Sequence, residues 1–300
     1  MPNRKLRKSL QKLARGAVRF SGLGDRATDT WKRIERVGAL DRQNQLLLRL
    51  NYERLLREGA PLPELRDTEF SSFSQNGEDG ALLYLLSLIG FGSRRSVEIC
   101  AADGVECNTA NLIINHDFRA LLVDGRERKI QEGRAFYEHC REVAGRPPSF
   151  AHAWVTRDGI NDLVREHGFD GELDVLSLDL DGVDYWIWEA LTCVTPRVVV
   201  VEYHAGWWPE DAVTVAYADD FQRDGRYRGA SLAAFTALAA RKGYRLVGSE
   251  RRQLNAFFLP EGVGEDCLPT LKPADCLGRR LFSEAERARR LAEENWVDVS

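Results

Sequence analysis

From Ser96 onward, short apolar runs alternate with stretches of helical periodicity, and this alternation is the strongest constraint on the fold. Repeats of strand, helix and strand build βαβ units, which bury a mostly parallel sheet between two layers of helix. Strands are expected at 96–100, 120–124, 151–155, 175–179, 198–202, 244–248 and 256–259. The run Val198-Val-Val-Val201 suits a central strand covered on both faces. Helices are expected at 80–89, 108–115, 127–140, 160–166, 184–191 and 232–242. No helical pattern separates the last two strands, so a hairpin through Arg251-Arg252-Gln253 should join them and make the sheet mixed. A chain of 300 residues with 44% hydrophobic and 29% charged residues is expected to build one main soluble core.

Flanking segments read differently. Leu6, Leu10, Leu13 and Ala17 recur at helical spacing among basic residues, and a second helical stretch follows from Asp41 to Arg57. Gly59-Ala-Pro-Leu-Pro63 then breaks any helix, which sets a helical appendage at 1–63, an α/β domain at 64–260 and a loop and helix tail at 261–300. Seven bases precede the first acid, Asp25; setting them aside leaves 35 basic against 46 acidic residues, about −11. Such a body repels nucleic acid, so only the basic arm can seek anions, either on an anionic membrane surface or on a partner. Leu46, Leu47, Leu50 and Leu55 are expected to pack on the domain or on a second subunit, a homodimer contact. The N-terminus lacks an apolar signal region and no run approaches the ~20 residues that span a bilayer, so a cytoplasmic protein is expected, with the arm near the inner membrane face. Six scattered cysteines, Cys100, Cys107, Cys140, Cys193, Cys267 and Cys276, fit reduced thiols rather than a zinc site.

Ligands of open α/β sheets bind beyond the carboxyl ends of the strands. Here those ends carry Glu98 and Asp103, Asp124, Asp179 and Asp181, and Glu202 followed by His204. So many acids, and the absence of a full GxGxxG, disfavour a pyrophosphate-bearing dinucleotide. Asp124, ending the second strand, suits the hydroxyls of a ribose, or else caps the next helix.

Several stretches in order resemble the FkbM-like branch of class I S-adenosylmethionine-dependent methyltransferases. They are Ser74-Gln-Asn-Gly-Glu-Asp-Gly80, Val97-Glu-Ile-Cys-Ala-Ala-Asp-Gly-Val-Glu106, Leu176-Ser-Leu-Asp-Leu-Asp-Gly-Val-Asp-Tyr185, Val201-Glu-Tyr-His204, Tyr227-Arg-Gly-Ala-Ser-Leu232 and Asn255-Ala-Phe-Phe258. The likeness spans about 70–259 and leaves out the basic arm and the tail. It implies a Rossmann-like sheet of seven strands, with S-adenosylmethionine across the tips of the first strands. It further implies a cofactor loop with Glu98, Ala101, Asp103 and Gly104, Asp124 on the ribose, Trp154 and Val155 as an adenine wall, and Gln75, Glu78 and Asp79 near the methionine end. Cys100 and Ala102 stand where such loops commonly carry glycine.

Methyl transfer asks a protein to align an acceptor oxygen and remove its proton. His204 is the expected base, or else a structural histidine, with Asp179 and Asp181 beside it. Asp179, Asp181, Glu202 and His204 together offer the ligands of a divalent cation such as Mg, an alternative way to acidify a hydroxyl. The segment 205–228 is rich in aromatic residues; Trp207, Trp208 and Tyr227, with Tyr203 and Asp184, are expected to hold a sugar ring, unless they simply pack. The expected activity is O-methylation of a sugar, glycan or glycolipid precursor. A non-catalytic scaffold and a metal-dependent sugar enzyme without this cofactor are the rivals.

Overall fold

The computed structural model describes residues 26–143, 145–225, 227–278 and 282–300, so the basic amphipathic stretch around Leu6 lies outside the described residues. Two compact units divide the chain, Met1–Leu48 and Arg49–Ser300. Helix α1 (Arg26–Glu58) carries the helical pattern further upstream than expected and stops at Gly59, whose φ of 63° suits a residue without Cβ. Leu46, Leu47 and Leu50 on it are 47%, 65% and 47% exposed. Leu50 therefore does not pack on the domain.

In the second unit the order is α2 (Glu78–Ile89), β1 (Arg95–Ile99), α3 (Ala110–His116), β2 (Arg119–Asp124), α4 (Glu127–Glu138), β3 (Ser149–His152), α5 (Ile160–Glu166), β4 (Gly171–Leu178), α6 (Asp184–Ala190) and β5 (Val194–Glu202). After them come β6 (Val213–Val215), α7 (Leu232–Arg241), β7 (Tyr244–Ser249), β8 (Asn255–Pro260), α8 (Pro273–Cys276), α9 (Glu284–Glu293) and β9 (Trp296–Asp298). Seven strands form one sheet in the order β3-β2-β1-β4-β5-β8-β7. The first five are parallel, while β8 runs antiparallel to β5 and pairs with β7 through the expected hairpin. This is the mixed sheet that the alternation and the final hairpin implied, and the seven-stranded Rossmann-like one that the resemblance implied.

Period-two alternation explains the valine run. Val199 and Val201 face one helical layer with Trp188 and Phe235, Val198 and Val200 face the other with Leu82 and Leu85, and all four valines are buried. Strand order reverses between β1 and β4, and it is over the carboxyl ends at such a reversal that open α/β sheets bind ligands. Two features escape the sequence reading. β3 ends at His152, two residues before Trp154, and β6 pairs with β9 as a separate two-stranded sheet that ties the segment after β5 to the tail. All six cysteines are free thiols. Among the described residues, no helix is long and apolar enough to cross a membrane.

Candidate active site

The loop after β1 takes a glycine-type backbone although two of its positions carry a Cβ. Cys100, Ala102 and Gly104 all have left-handed φ, at 65°, 53° and 66°. For the two residues with Cβ this costs about 1–2 kcal/mol each. The turn is held by the Ala101 N–H donating to Val123 O and the Gly104 N–H donating to Ala101 O, at 2.9 and 2.8 Å. Glu98 faces inward, where it accepts from the backbone N–H groups of Asn108 and Thr109, both at 2.8 Å. It is the clamp that starts α3 and no longer has free oxygens for a ligand. Asp103 accepts from Lys129 Nζ at 3.1 Å.

Asp124, at the tip of β2, is wired to that loop: its Oδ2 accepts from the Ala102 N–H at 2.9 Å. Both of its oxygens also accept from the Arg126 guanidinium at 2.9 Å. The Asp124 side chain is 3% exposed and that of Arg126 is 63% exposed, so an exposed cation covers a buried anion. Trp154 lies alongside: a Cβ on Gly125 would meet its ring at 3.0 Å, and the indole N–H donates to Asp219 O. Val155 departs from the expectation. It is buried in the core cluster that holds Ile160 and Leu178, three residues past the end of β3.

Ser74 to Gly80 forms a knot at the start of α2. Asp79 Oδ2 accepts from the N–H groups of Ser72, Phe73 and Ser74 at 2.7, 2.6 and 3.0 Å, while its buried Oδ1 has no partner. Burial pushes this carboxyl up to about 7 against those three bonds, with the charge of Glu78 adding to the rise. Glu78 accepts from the Asn76 N–H at 2.8 Å and from Asn255 Nδ2 at 2.9 Å. Of the three residues expected at the methionine end, only Gln75 is exposed.

Across the reversal, Asp179, Asp181 and Glu202 bring carboxylate oxygens within 4.8 Å of one another. Asp179 opens on the crevice, yet protein surrounds it on most sides. Burial, then the charges of Glu202 and Asp184, raise it well above the carboxylate range, and it shares a hydrogen bond with Glu202. Glu202 is raised by burial to about 7, with Arg228 opposing. Arg228 bonds Asp181 and lies 3.7 Å from Glu202, and Arg223 bonds Asp181 at 2.7 Å. Two guanidinium groups thus already neutralise this cluster. Asp184 faces inward, accepting from the N–H groups of Leu180 and Gly182.

His204 does not join the acids. Its Nδ1 accepts from the Gly206 N–H at 3.0 Å, and its ring packs among Phe282, Trp296 and Trp207 with centroids 5.4, 6.1 and 6.5 Å away. Trp207 is 1% exposed in the same nest, a packing residue instead of a sugar platform. The Trp208 indole donates to Phe282 O, and Tyr203 is buried with its hydroxyl on Ser249. The later part of the segment crosses the strand tips as a strap. Phe221 lies where a Cβ on Gly182 would meet it at 2.4 Å, and Arg223 and Arg228 follow. Arg126, Arg223 and Arg228 were not singled out from sequence, since lone arginines carry no periodic signal; Asp-Gly-Arg directly after a strand was a hint to Arg126, and Arg228 stood in the quoted stretch Tyr227-Arg-Gly-Ala-Ser-Leu232.

Comparison with known proteins adds the following. No protein-family model and no curated protein sequence matches the chain. Solved structures similar to it include magnesium protoporphyrin IX methyltransferase from Synechocystis PCC 6803 with bound SAM, at 10% identity over 61% of this chain and 78% of that one, TM-score 0.40. An O-methyltransferase from Bacillus cereus in complex with SAH is 13% identical over 72% and 89%, TM-score 0.41. The N-terminal domain of EvdMO1 with SAH bound is 14% identical over 70% and 95%, TM-score 0.40.

Proposed function

We propose that the chain is an S-adenosylmethionine-dependent O-methyltransferase whose acceptor is a hydroxyl of a sugar, glycan or glycolipid precursor. One observation carries this reading: a left-handed loop at the tip of β1 is hydrogen-bonded through Ala102 to a buried acid at the tip of β2, next to the switch of strand order. The donor set fits an adenosine. Asp124 supplies two acceptor oxygens for two ribose hydroxyls once Arg126 swings aside, and Trp154 supplies a flat apolar face beside it. When bound, the cofactor supplies an electrophilic methyl group. The chain itself must orient the acceptor oxygen and take its proton, and Glu202, held near neutrality beside Asp179 and Arg228, is the proton acceptor in this reading. His204 is set aside because its Nδ1 is already engaged.

The cover that Arg126 places on Asp124 favours one rival, a binding module that never admits the nucleoside. Calorimetry with S-adenosylhomocysteine separates the two. Binding is expected, weakened by about 1–3 kcal/mol in Asp124→Ala. No heat at millimolar ligand, or an unchanged affinity in the variant, rejects the proposal.

A further inference from the structure

The tail lies outside the sequence resemblance, yet it walls an open hollow against the strap. The cavity has a volume of about 320 Å3 and is lined by Asp224 and Tyr227 of the strap and by Arg290, Glu294 and Asn295 at the end of α9. Its walls are built. The Tyr227 hydroxyl donates to Asn295 O at 2.6 Å and accepts from the Ala216 N–H, which fixes the ring. Arg290 is 5% exposed, stacks on Phe282 at 4.6 Å, and donates through Nη1 to both oxygens of Glu294 at 3.1 Å and through Nη2 to Glu286 at 3.3 Å. The Trp296 indole donates to Glu294 Oε2 at 2.8 Å.

The lining chemistry narrows the occupant. Among the described lining residues, Asp224 and Glu294 outweigh one guanidinium that is already shared with Glu286, which disfavours an anion. An apolar molecule would strip water from these carboxylates and give nothing back. What remains is a neutral, hydroxyl-rich molecule that donates to Asp224 and Glu294, exchanges hydrogen bonds with the Asn295 amide and lays C–H groups on the Tyr227 ring. The volume is at the small end of ligand sites and suits one sugar ring. Arg228, next in the chain to Tyr227, bonds Asp181 and lies 3.7 Å from Glu202, so the strap that lines the hollow also reaches the strand-tip acids.

We propose that this cavity between strap and tail is a saccharide subsite that holds the arm of the acceptor next to the strand-tip acids. The inference rests on the proposed function, which supplies the hydroxyl acceptor, and it makes the tail part of substrate recognition.

The test uses the full chain and methyl α-D-glucopyranoside, followed by amide, indole and guanidinium N–H resonances. The sugar is expected to bind in the millimolar range or tighter and to move the Trp296 indole and Arg290 Nη1 signals, because both groups donate to the lining carboxylate of Glu294. Asp224→Ala and Asn295→Ala alter exposed side chains, so folded spectra are expected, with sugar affinity lowered about fivefold by each lost hydrogen bond. No shift at tens of millimolar sugar, shifts confined to other residues, or equal affinity in both variants overturns the subsite, as does stronger binding of inorganic phosphate to the same signals. Calorimetry with S-adenosylhomocysteine on the same samples separates the two claims. Sugar shifts without cofactor heat reject methyl transfer and keep the subsite; cofactor heat without sugar shifts rejects the subsite alone.

Discussion

Asp79 gives the sharpest test of how the knot before α2 is stabilised. Its carboxyl is 1% exposed, carries three backbone N–H bonds on one oxygen and leaves the other oxygen buried without a partner. The three bonds favour the anion, and burial together with Glu78 favours the neutral acid; burial wins, lifting the group from 3.8 to about 7. The folded protein therefore binds a proton that the unfolded chain has already released between those two values. Its contribution to stability is complete below about pH 4 and is lost as pH rises through about 7. The distance from 3.8 to about 7, at about 1.4 kcal/mol for each tenfold, makes the loss about 4 kcal/mol. Asp79→Asn keeps an oxygen for the three N–H groups and cannot ionise. Urea unfolding of both proteins at a series of pH values should show the wild type losing stability relative to the variant, by up to about 4 kcal/mol, with the difference flat above about pH 8. Other groups titrate in this window, but they are common to both proteins and cancel in the difference. Parallel curves would refute the reasoning and would mean that the N–H groups of Ser72, Phe73 and Ser74 hold the anion against burial.

Three further outcomes follow from single contacts. Cys100→Gly should raise stability by about 1 kcal/mol in thermal or urea unfolding by relieving the left-handed Cβ, and a loss instead would show that the thiol's packing outweighs the strain. Trp207→Ala should cost about 3–5 kcal/mol and expose the amides of β6 and β9 to hydrogen exchange, while affinity for S-adenosylhomocysteine stays the same; a selective loss of ligand would return Trp207 to the site. Arg126→Ala should tighten S-adenosylhomocysteine by about tenfold, since a two-pronged bond to a buried carboxylate competes with about 1.5 kcal/mol, and weaker binding would make Arg126 a ligand instead of a cover.

Much of the fold was legible because its signals are local. A β-branched run such as Val198 to Val201 reports its own burial, and the helices at 160–166 and 184–190 start where their patterns start. The acids of the site were legible by position, since strand ends locate the crevice whatever the side chains do. Their orientation was not. Glu98 and Asp184 occupy the expected places but turn inward to bind backbone N–H groups, a choice set by the loops they close. The aromatic residues after β5 were ambiguous for another reason. A tryptophan buries equally well against a sugar or against Phe282 and Trp296, and the partners of Trp207 lie far along the chain, beside a three-residue strand too short for any periodicity.

Loss of the loop glycines also takes on a different meaning once the backbone is seen. Missing glycine at Cys100 and Ala102 would argue against a cofactor loop if those positions had relaxed to ordinary φ, because the turn would then point its N–H groups elsewhere. They have not relaxed. Strain of about 1–2 kcal/mol at each persists only where surrounding contacts fix it, and here the contacts are named: Ala101 on Val123, Gly104 on Ala101, and Ala102 on Asp124. The last bond joins the strained turn to a carboxylate whose other partner, among the described residues, is Arg126 through its backbone N–H and its guanidinium. A turn needed for packing alone could relax without touching Asp124. A turn that aims an N–H at the one acid equipped for a ribose ties backbone strain to the geometry of the crevice, and that coupling is why the strain supports the proposed cofactor site.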